Sequence, residues 1–119
     1  MKFNTKVIHG GQHHDPSTGA VMPPVYQTST FVQTSPGKPL NPDYEYSRAA
    51  NPTRTALENA LASIENGTRG LAFSSGLAAT DCLLRSFKAG DEIIAMDDLY
   101  GGTYRMFTRT YKDSGIVFH

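Results

Sequence analysis

The sequence predicts an α/β fold in which helices cover a parallel β-sheet. Short apolar runs of strand length lie at residues 71–73, 92–96 and 116–118, and segments with helical signals separate them. This alternation is typical of parallel sheets, because parallel strands need a crossover connection, usually a helix. Six of the seven prolines lie within residues 1–50. We therefore expect two regions, an extended arm at 1–50 and the beginning of an α/β domain at 51–119.

The arm has no helical periodicity, and its proline-rich stretch at 21–26 must be extended because proline disfavours the helical conformation in the residue before it. Its large apolar side chains are numerous for a segment left in water: Val25, Tyr26, Phe31, Val32, Tyr44 and Tyr46. We expect an arm that lies on another surface; a disordered tail is the alternative.

Three helices are predicted after the arm. The first begins with Asn51 as N-cap and Pro52 at the first helical position, and it stops at Asn66-Gly67. Its apolar residues recur at three- and four-residue spacing and predict one buried stripe: Ala56, Leu57, Ala60, Leu61 and Ile64. The second helix follows the turn at 74–76 and ends at 89–91, with Ala79, Leu83 and Phe87 on one face. The third starts near Thr103 and carries Tyr104, Phe107 and Tyr111.

Composition excludes several classes of partner. Eleven basic and eleven acidic residues give a net charge of zero, and no charged block indicates nucleic acid or a membrane surface. The single cysteine, Cys82, excludes an internal disulfide, fits a cytoplasmic location, and is expected to be a packed core thiol. A metal site at His9, His13, His14 and Asp15 is disfavoured because the usual ligand spacing is absent.

The turn at Ser74-Ser75-Gly76 is a candidate anion site. The free N–H groups of a helix first turn, together with the helix dipole, bind anions, and a glycine lets a phosphate approach the backbone. An ordinary capped helix is the alternative interpretation.

The loop Asp97-Asp98-Leu99-Tyr100-Gly101-Gly102 follows the next strand, so it is expected at the same carboxyl edge of the sheet, where α/β folds bind ligands. Tyr100 could lay its ring against a flat cofactor there. A glycine-rich turn with a half-buried tyrosine is the alternative.

Tyr46 and Arg48 form a third candidate site. Two residues apart on an extended chain, they point to the same side and both can donate to phosphate oxygens. A surface arginine beside a packing tyrosine is the alternative, and the pair taken alone favours it.

Together these residues resemble the pyridoxal-phosphate (PLP) dependent transsulfuration enzymes, which include cystathionine γ-synthase and cystathionine γ-lyase. The resemblance runs from about Thr5 to the last residue and rests on five ordered blocks: Ile8-His9-Gly10-Gly11, Met22-Pro23-Pro24-Val25-Tyr26-Gln27-Thr28-Ser29-Thr30-Phe31, Tyr46-Ser47-Arg48 with Asn51-Pro52-Thr53-Arg54, Ser75-Gly76-Leu77-Ala78-Ala79, and Asp98-Leu99-Tyr100-Gly101-Gly102-Thr103. It implies a fold-type-I PLP-dependent transferase fold, of which this chain would be the N-terminal arm and the first βαβαβ part of the large domain.

The resemblance also implies site roles. The N–H groups of Gly76 and Leu77 would hold the PLP phosphate, and Tyr100 would stack on the pyridine ring and act in catalysis on the substrate amine. Tyr46 and Arg48 would reach the phosphate of a neighbouring subunit, within a homodimer or homotetramer. Arg48, Tyr100 and Arg105 would contact the substrate, an amino acid such as cystathionine, O-acylhomoserine or cysteine.

Two positions narrow the branch of the family. Gly102 stands where methionine γ-lyases carry cysteine, and Arg105 differs from the asparagine usual in the sulfhydrylase branch. Both favour cystathionine γ-synthase or γ-lyase, which the sequence does not separate. No metal is implied.

The family's Schiff-base lysine has no counterpart among the lysines of this chain, which are Lys2, Lys6, Lys38, Lys88 and Lys112. Without that amine we expect no turnover by this chain alone. We also expect a truncated domain that is marginally stable by itself. The alternative function is a non-catalytic phosphate-binding or interaction module complete at 119 residues.

Overall fold

The computed structural model describes residues 1–119, which form two compact units, Met1–Ala72 and Phe73–His119. The first unit contains helices α1 (Phe3–His9) and α2 (Pro52–Ile64) and the antiparallel strands β1 (Gln33–Ser35) and β2 (Lys38–Pro39). The second contains α3 (Gly76–Leu84), β3 (Glu92–Ile93), α4 (Gly101–Arg105), a π-helix (Met106–Thr110) and β4 (Val117–Phe118). None of these helices has the length and apolar character that crossing a bilayer requires.

Helix α2 begins and ends where the sequence predicts. The Asn51 side chain accepts a hydrogen bond from the Thr53 N–H at 2.9 Å, and Pro52 is the first helical residue. At the other end Asn66 adopts a left-handed φ of 54° and the Gly67 N–H donates to the Ala62 carbonyl at 2.8 Å. This closure satisfies a free helix-end carbonyl, so the predicted stop is confirmed.

The proline-rich arm lies against the beginning of α2. The Tyr26 N–H donates to the Thr53 hydroxyl at 2.9 Å, and that hydroxyl donates to the Pro24 carbonyl at 3.2 Å. The Asn51 amide donates to the Tyr26 carbonyl at 3.1 Å. The arm and α2 therefore belong to one compact unit, whose boundary falls after Ala72 rather than at the change of composition near Asn51. Contact of the arm with a neighbouring subunit stays a prediction.

Two expectations for the first unit are wrong. Residues 1–50 are not free of helix, since α1 occupies the stretch before the first proline and ends where the Gly10 N–H donates to the Lys6 carbonyl at 2.7 Å. The apolar stripe of α2 is not buried throughout, because Leu57 and Leu61 are 52% and 47% exposed. The chain after α1 approaches α2 at Asn59, which lies about 200° around the helix from Leu57.

The second unit has a parallel strand pair but not the whole predicted sheet. β3 and β4 pair in parallel, and the His119 N–H continues the ladder by donating to the Ile93 carbonyl at 2.8 Å. The small core contains Leu84 and Ile116, and the Phe107 and Phe118 rings stack at 4.2 Å.

The strand predicted at 71–73 does not form. The Ala72 N–H, which a sheet would need, donates instead to the Glu58 carboxylate at 2.9 Å. An acidic side chain has taken the place of a neighbouring strand as the acceptor.

The helices of the second unit differ from prediction at their ends. α3 stops at Leu84 rather than near residue 89, because the Ser86 hydroxyl and N–H both donate to the Leu83 carbonyl. The third helix begins at Gly101 and widens into the π-helix at Met106. Cys82 is exposed on α3, so its predicted burial is wrong.

Gly11 marks a close approach between the end of α1 and α2. It has a left-handed φ of 69°, and a Cβ built on it would overlap the Asn59 carbonyl group. Gly19 has nearly the same φ, 71°, but nothing lies within 4 Å of its Cβ position.

We expect Gly11→Ala to destabilise the full-length protein in which this chain occurs by more than Gly19→Ala does. Both variants carry the cost of a left-handed alanine, about 1–2 kcal/mol, and only the first adds the overlap with Asn59. Urea unfolding followed by tyrosine fluorescence measures both. Equal losses for the two variants would contradict the close approach of the backbones.

Asp15 is a buried carboxylate in the arm, only 6% exposed. It accepts hydrogen bonds from the Thr18 hydroxyl at 2.6 Å and from the Ser17 hydroxyl at 2.7 Å. These bonds, that from Thr18 first, lower the pKa of Asp15 from 3.8 to about 2.

The lowered pKa predicts an acid-sensitive contribution to stability. Because the folded pKa lies below the unfolded one, the contribution is complete above pH 3.8 and is lost as the pH falls toward 2. Asp15→Asn should flatten this part of the profile, and Asp43→Asn, which removes an exposed carboxylate of the same unit, is the control for the change in net charge. Denaturation midpoints between pH 2 and 6 measure the difference, and parallel profiles for wild type and Asp15→Asn would exclude this role.

Candidate functional site

The beginning of α3 presents two N–H donors without partners in the chain. The Ser75 side chain caps the helix by accepting from the Ala78 N–H at 3.1 Å, and the Ala79 N–H donates to the Ser75 carbonyl at 3.1 Å. The N–H groups of Gly76 and Leu77 make no hydrogen bond. Free first-turn donors and the positive end of the helix dipole favour an anion at this position.

Tyr100 stands beside these donors. It is the residue immediately before α4, and 72% of its surface is exposed. An open cavity of about 320 Å³ lies between the starts of the two helices. Its lining residues are Ser75, Gly76, Leu77, Thr80, Tyr100 and Thr103. Three residues that the sequence predicts for one site, Gly76, Leu77 and Tyr100, thus line one cavity.

Gly102 is the point where α4 packs closely against α3. It is buried, and a Cβ built on it would lie 2.5 Å from Cε1 of Tyr100 and 2.8 Å from Cδ1 of Leu77. Real side chains do not approach so closely, so any larger residue would displace the tyrosine ring or the leucine. The absence of a side chain at 102 therefore lets the Tyr100 ring lie next to the helix that carries the anion donors.

Sequence reasoning missed two polar residues of this cavity. Thr80 lies one turn beyond Gly76 and donates to its carbonyl at 3.0 Å, and Thr103 lies three residues beyond Tyr100. The three- and four-residue spacing on a helix face could have found both, since such residues are neighbours. Arg105, predicted to contact substrate, ends α4 with an exposed side chain and does not line the cavity.

Tyr46 and Arg48 lie together in the first compact unit. The guanidinium of Arg48 sits 5.1 Å from the centre of the Tyr46 ring, a cation–π contact. The backbone between them turns, with the Ala49 N–H donating to the Tyr46 carbonyl at 2.9 Å, so the predicted extended conformation is wrong. Arg54 holds this turn by donating to the carbonyls of Ser47 and Arg48 at 3.1 and 3.3 Å.

No group of three or more His, Cys, Asp and Glu side chains is arranged to hold a metal ion. In the His- and Asp-containing part of the arm, both oxygens of Asp15 already accept hydrogen bonds within the chain.

Residues 4–119 match the family described as Cys/Met metabolism PLP-dependent enzyme. The chain belongs to this family. Its members depend on PLP as cofactor, and the predicted resemblance and cofactor are therefore confirmed.

The proteins similar to this chain in sequence and in structure are cystathionine lyases and synthases. The chain is 53% identical over 116 residues to cystathionine beta-lyase of Lactococcus lactis, a match of 98% of this chain and 30% of the relative. It is 49% identical over 116 residues to a probable cystathionine gamma-synthase of Herpetosiphon aurantiacus, with 98% of this chain and 36% of the relative covered. The crystal structure of cystathionine gamma-lyase from Lactobacillus plantarum with L-serine matches with a TM-score of 0.86 and 48% identity, over 100% of this chain and 30% of that chain.

These likenesses confirm the predicted fold class. The chain spans about a third of the length of the relatives it matches. The part it represents has the fold of PLP-dependent cystathionine enzymes, although the first of the three predicted strands is not paired in this structure.

The cavity residues fit the chemistry of PLP. A phosphate group needs donors, and two unpaired N–H groups lie at a helix beginning; a flat ring needs an aromatic surface, and the exposed Tyr100 ring lines the same cavity. Gly76 itself offers open space, since nothing lies within 4 Å of its Cβ position.

Replacing Gly76 by proline tests one donor while keeping the helix. Proline is well tolerated at the first helical position, and Ser75 already has the extended conformation that proline demands of the preceding residue, with φ −157° and ψ 159°. We expect Gly76→Pro to weaken PLP binding by the full-length protein about tenfold or more, the effect of losing a hydrogen bond to a charged group. Gly76→Ala keeps the N–H and is the matched control. Equal affinity of the two variants, measured by equilibrium dialysis, would remove Gly76 from the site.

Proposed function

We propose that this chain forms the phosphate- and ring-binding part of a PLP-dependent enzyme that acts at the γ carbon of cystathionine or O-acylhomoserine. The observation that carries the proposal is the pair of unpaired N–H groups of Gly76 and Leu77 in one cavity with Tyr100. A non-catalytic binding module is disfavoured, because the matched family consists of enzymes.

Each residue of the cavity has a separate task in this proposal. The Gly76 and Leu77 N–H groups bind the phosphate, and the Thr80 and Thr103 hydroxyls border the same space. The Tyr100 ring covers the cofactor ring, while its hydroxyl, outside the stack, can exchange a proton with the substrate amine.

Arg48 and Arg105 are the cationic groups of the proposal. Arg105 does not line the cavity, and from the exposed end of α4 it binds the part of the substrate that extends beyond the cavity. Tyr46 and Arg48 bind the phosphate held by a neighbouring subunit, and the hydrogen bonds of Arg54 to the turn keep Arg48 in a defined place. An arginine can grip phosphate with two parallel hydrogen bonds, which supports this role over a purely packing one.

Bound PLP supplies a ring that withdraws electrons from the carbon atoms next to the substrate amine. Proton removal from those carbons needs a base, and no lysine lines the cavity. The five lysines of the chain include only Lys88 and Lys112 in the second unit. We infer that this chain alone does not turn over substrate, and that the base and the amine that anchors PLP are supplied by other residues of the full-length enzyme.

The proposal also specifies the branch of the family to which the full-length enzyme belongs. Arg105 and Gly102 support cystathionine γ-synthase or γ-lyase, whereas the similarity to cystathionine beta-lyase of Lactococcus lactis supports β-cleavage as a second candidate.

We further propose a cytoplasmic homotetramer built from dimers, with the arm crossing between subunits. Exposed apolar residues of the arm support this arrangement: Val21, Met22, Val25 and Val32.

Product analysis of the full-length protein separates the branches. With one water consumed in each case, cleavage of cystathionine at the γ carbon gives four-carbon 2-oxobutanoate, cysteine and ammonia, whereas β-cleavage gives three-carbon pyruvate, homocysteine and ammonia. We expect 2-oxobutanoate from cystathionine, or cystathionine from O-acylhomoserine and cysteine, and only with PLP present. Pyruvate as the main product would support the β-lyase candidate, and no product from any of these substrates would contradict the proposal.

A further inference from the structure

Two contacts join α3 to the segment formed by α4 and the π-helix. At one end Leu77 packs against Gly102. At the other, the Tyr111 hydroxyl donates to the Asp81 carboxylate at 2.8 Å and lies 3.3 Å from the Asp81 carbonyl. Leu77 and Asp81 are four residues apart and therefore lie on one face of α3. Two contacts on one face of α3 thus join it to the segment 101–111 at two points.

The second contact is part of a charged chain of hydrogen bonds. Arg85 donates from Nε to the other oxygen of the Asp81 carboxylate at 2.8 Å, so both oxygens of Asp81 are occupied. These bonds, that from Arg85 first and that from Tyr111 second, lower the pKa of Asp81. Burial and the bond to Asp81 raise the pKa of Tyr111, which therefore remains a hydrogen-bond donor at neutral pH.

The π-helix determines where this tyrosine lies. Its wide turn is closed by the Tyr111 N–H, which donates to the Met106 carbonyl five residues earlier at 2.9 Å. The Ser114 hydroxyl and N–H both donate to the Tyr111 carbonyl, at 2.7 and 3.1 Å. The backbone of Tyr111 is thus bound on both sides, and its hydroxyl meets α3 from a fixed position.

We propose that Asp81 and Tyr111 are positioning residues, whose hydrogen bond holds the N–H pair of Gly76 and Leu77 at the correct separation from the Tyr100 ring. The inference rests on the proposed function, since it presumes that these groups bind the two ends of one PLP molecule. A bond outside the cavity would then control cofactor affinity without touching the cofactor. The relation is geometric: α3 carries the phosphate donors at its beginning, and Tyr100 immediately precedes α4.

Tyr111→Phe in the full-length holoenzyme removes the hydroxyl and keeps the ring. We expect the PLP dissociation constant to rise about fivefold, as contacts that couple neighbouring groups usually do. Tyr104→Phe is the matched control, because Tyr104 lies on α4, is 59% exposed and its hydroxyl makes no hydrogen bond. Its dissociation constant should equal that of wild type.

The background variant Tyr100→Ala provides a readout that a merely structural role would not affect. If the bond acts through the placement of Tyr100, adding Tyr111→Phe to Tyr100→Ala should raise the dissociation constant no further. An unchanged fivefold effect in that background, or wild-type affinity of Tyr111→Phe with only a lower melting temperature, would overturn the inference.

Asp81→Asn and Asp81→Ala complete the test and replace Tyr111→Phe if that variant fails to fold. The asparagine oxygen can still accept from Tyr111 when the exposed Arg85 side chain turns to solvent, so affinity should stay nearer that of wild type, whereas alanine should reproduce the fivefold loss. Equal affinities of the two would overturn the inference. Failure of the proposed function has a different signature, because Tyr100→Ala by itself would then leave PLP affinity unchanged.

Discussion

The cap of α3 is the interaction on which the candidate site depends. A helix begins with N–H groups that have no partner in the helix, and the Ser75 side chain accepts from the third of them, that of Ala78. A cap that accepted from the second N–H instead, that of Leu77, would have occupied one of the donors of the candidate site. Here the first two N–H groups remain free although the helix is capped, so the helix end proposed to bind the phosphate is both stabilised and open.

The second constraint is the large surface area that the chain exposes. Its accessible area is 9297 Å², whereas a compact protein of 13.0 kDa exposes about 6,300 Å², and two separate compact bodies of 72 and 47 residues would expose about 7,600 Å². Exposed large apolar side chains include Leu57, Leu61 and Leu71 of the first unit and Ile94 of the second. Large apolar side chains left in water are a feature of surfaces that other protein covers. The excess agrees with the proposal that the arm and the α/β region are covered by further protein in the assembled enzyme.

Local signals predicted the ends of α2 and the turn into α3 correctly, because the residues responsible act on their own neighbours. Asn51 binds the N–H two residues on, and Ser75 binds the N–H three residues on, so the chemistry is contained within a few positions. Gly76, Leu77 and Tyr100 could be assigned to one cavity because both turns follow apolar runs that were interpreted as strands.

Interactions between distant positions could not be predicted in this way. Glu58 accepts the N–H of Ala72, 14 residues away, where a strand was predicted, and the bond between Asp81 and Tyr111 spans 30 residues. The exposure of Cys82 has the same origin, since apolar neighbours in sequence do not specify which face of a helix will be covered. The sequence pattern indicates the secondary structure that each segment favours, whereas the hydrogen-bond partner of each polar group depends on the three-dimensional arrangement.

Gly102 connects the geometry of the site with the branch of the family. The sequence resemblance associates a cysteine at this position with methionine γ-lyases, yet a side chain there would meet both the Tyr100 ring and Leu77. A cysteine could be accommodated only if the Tyr100 ring or the Leu77 side chain shifted. With both side chains where they lie here, position 102 has room only for glycine. Tyr100 is the group proposed to cover the cofactor and contact the substrate amine. The difference at position 102 would therefore change the surroundings of the substrate through Tyr100. This supports placing the chain with the cystathionine enzymes.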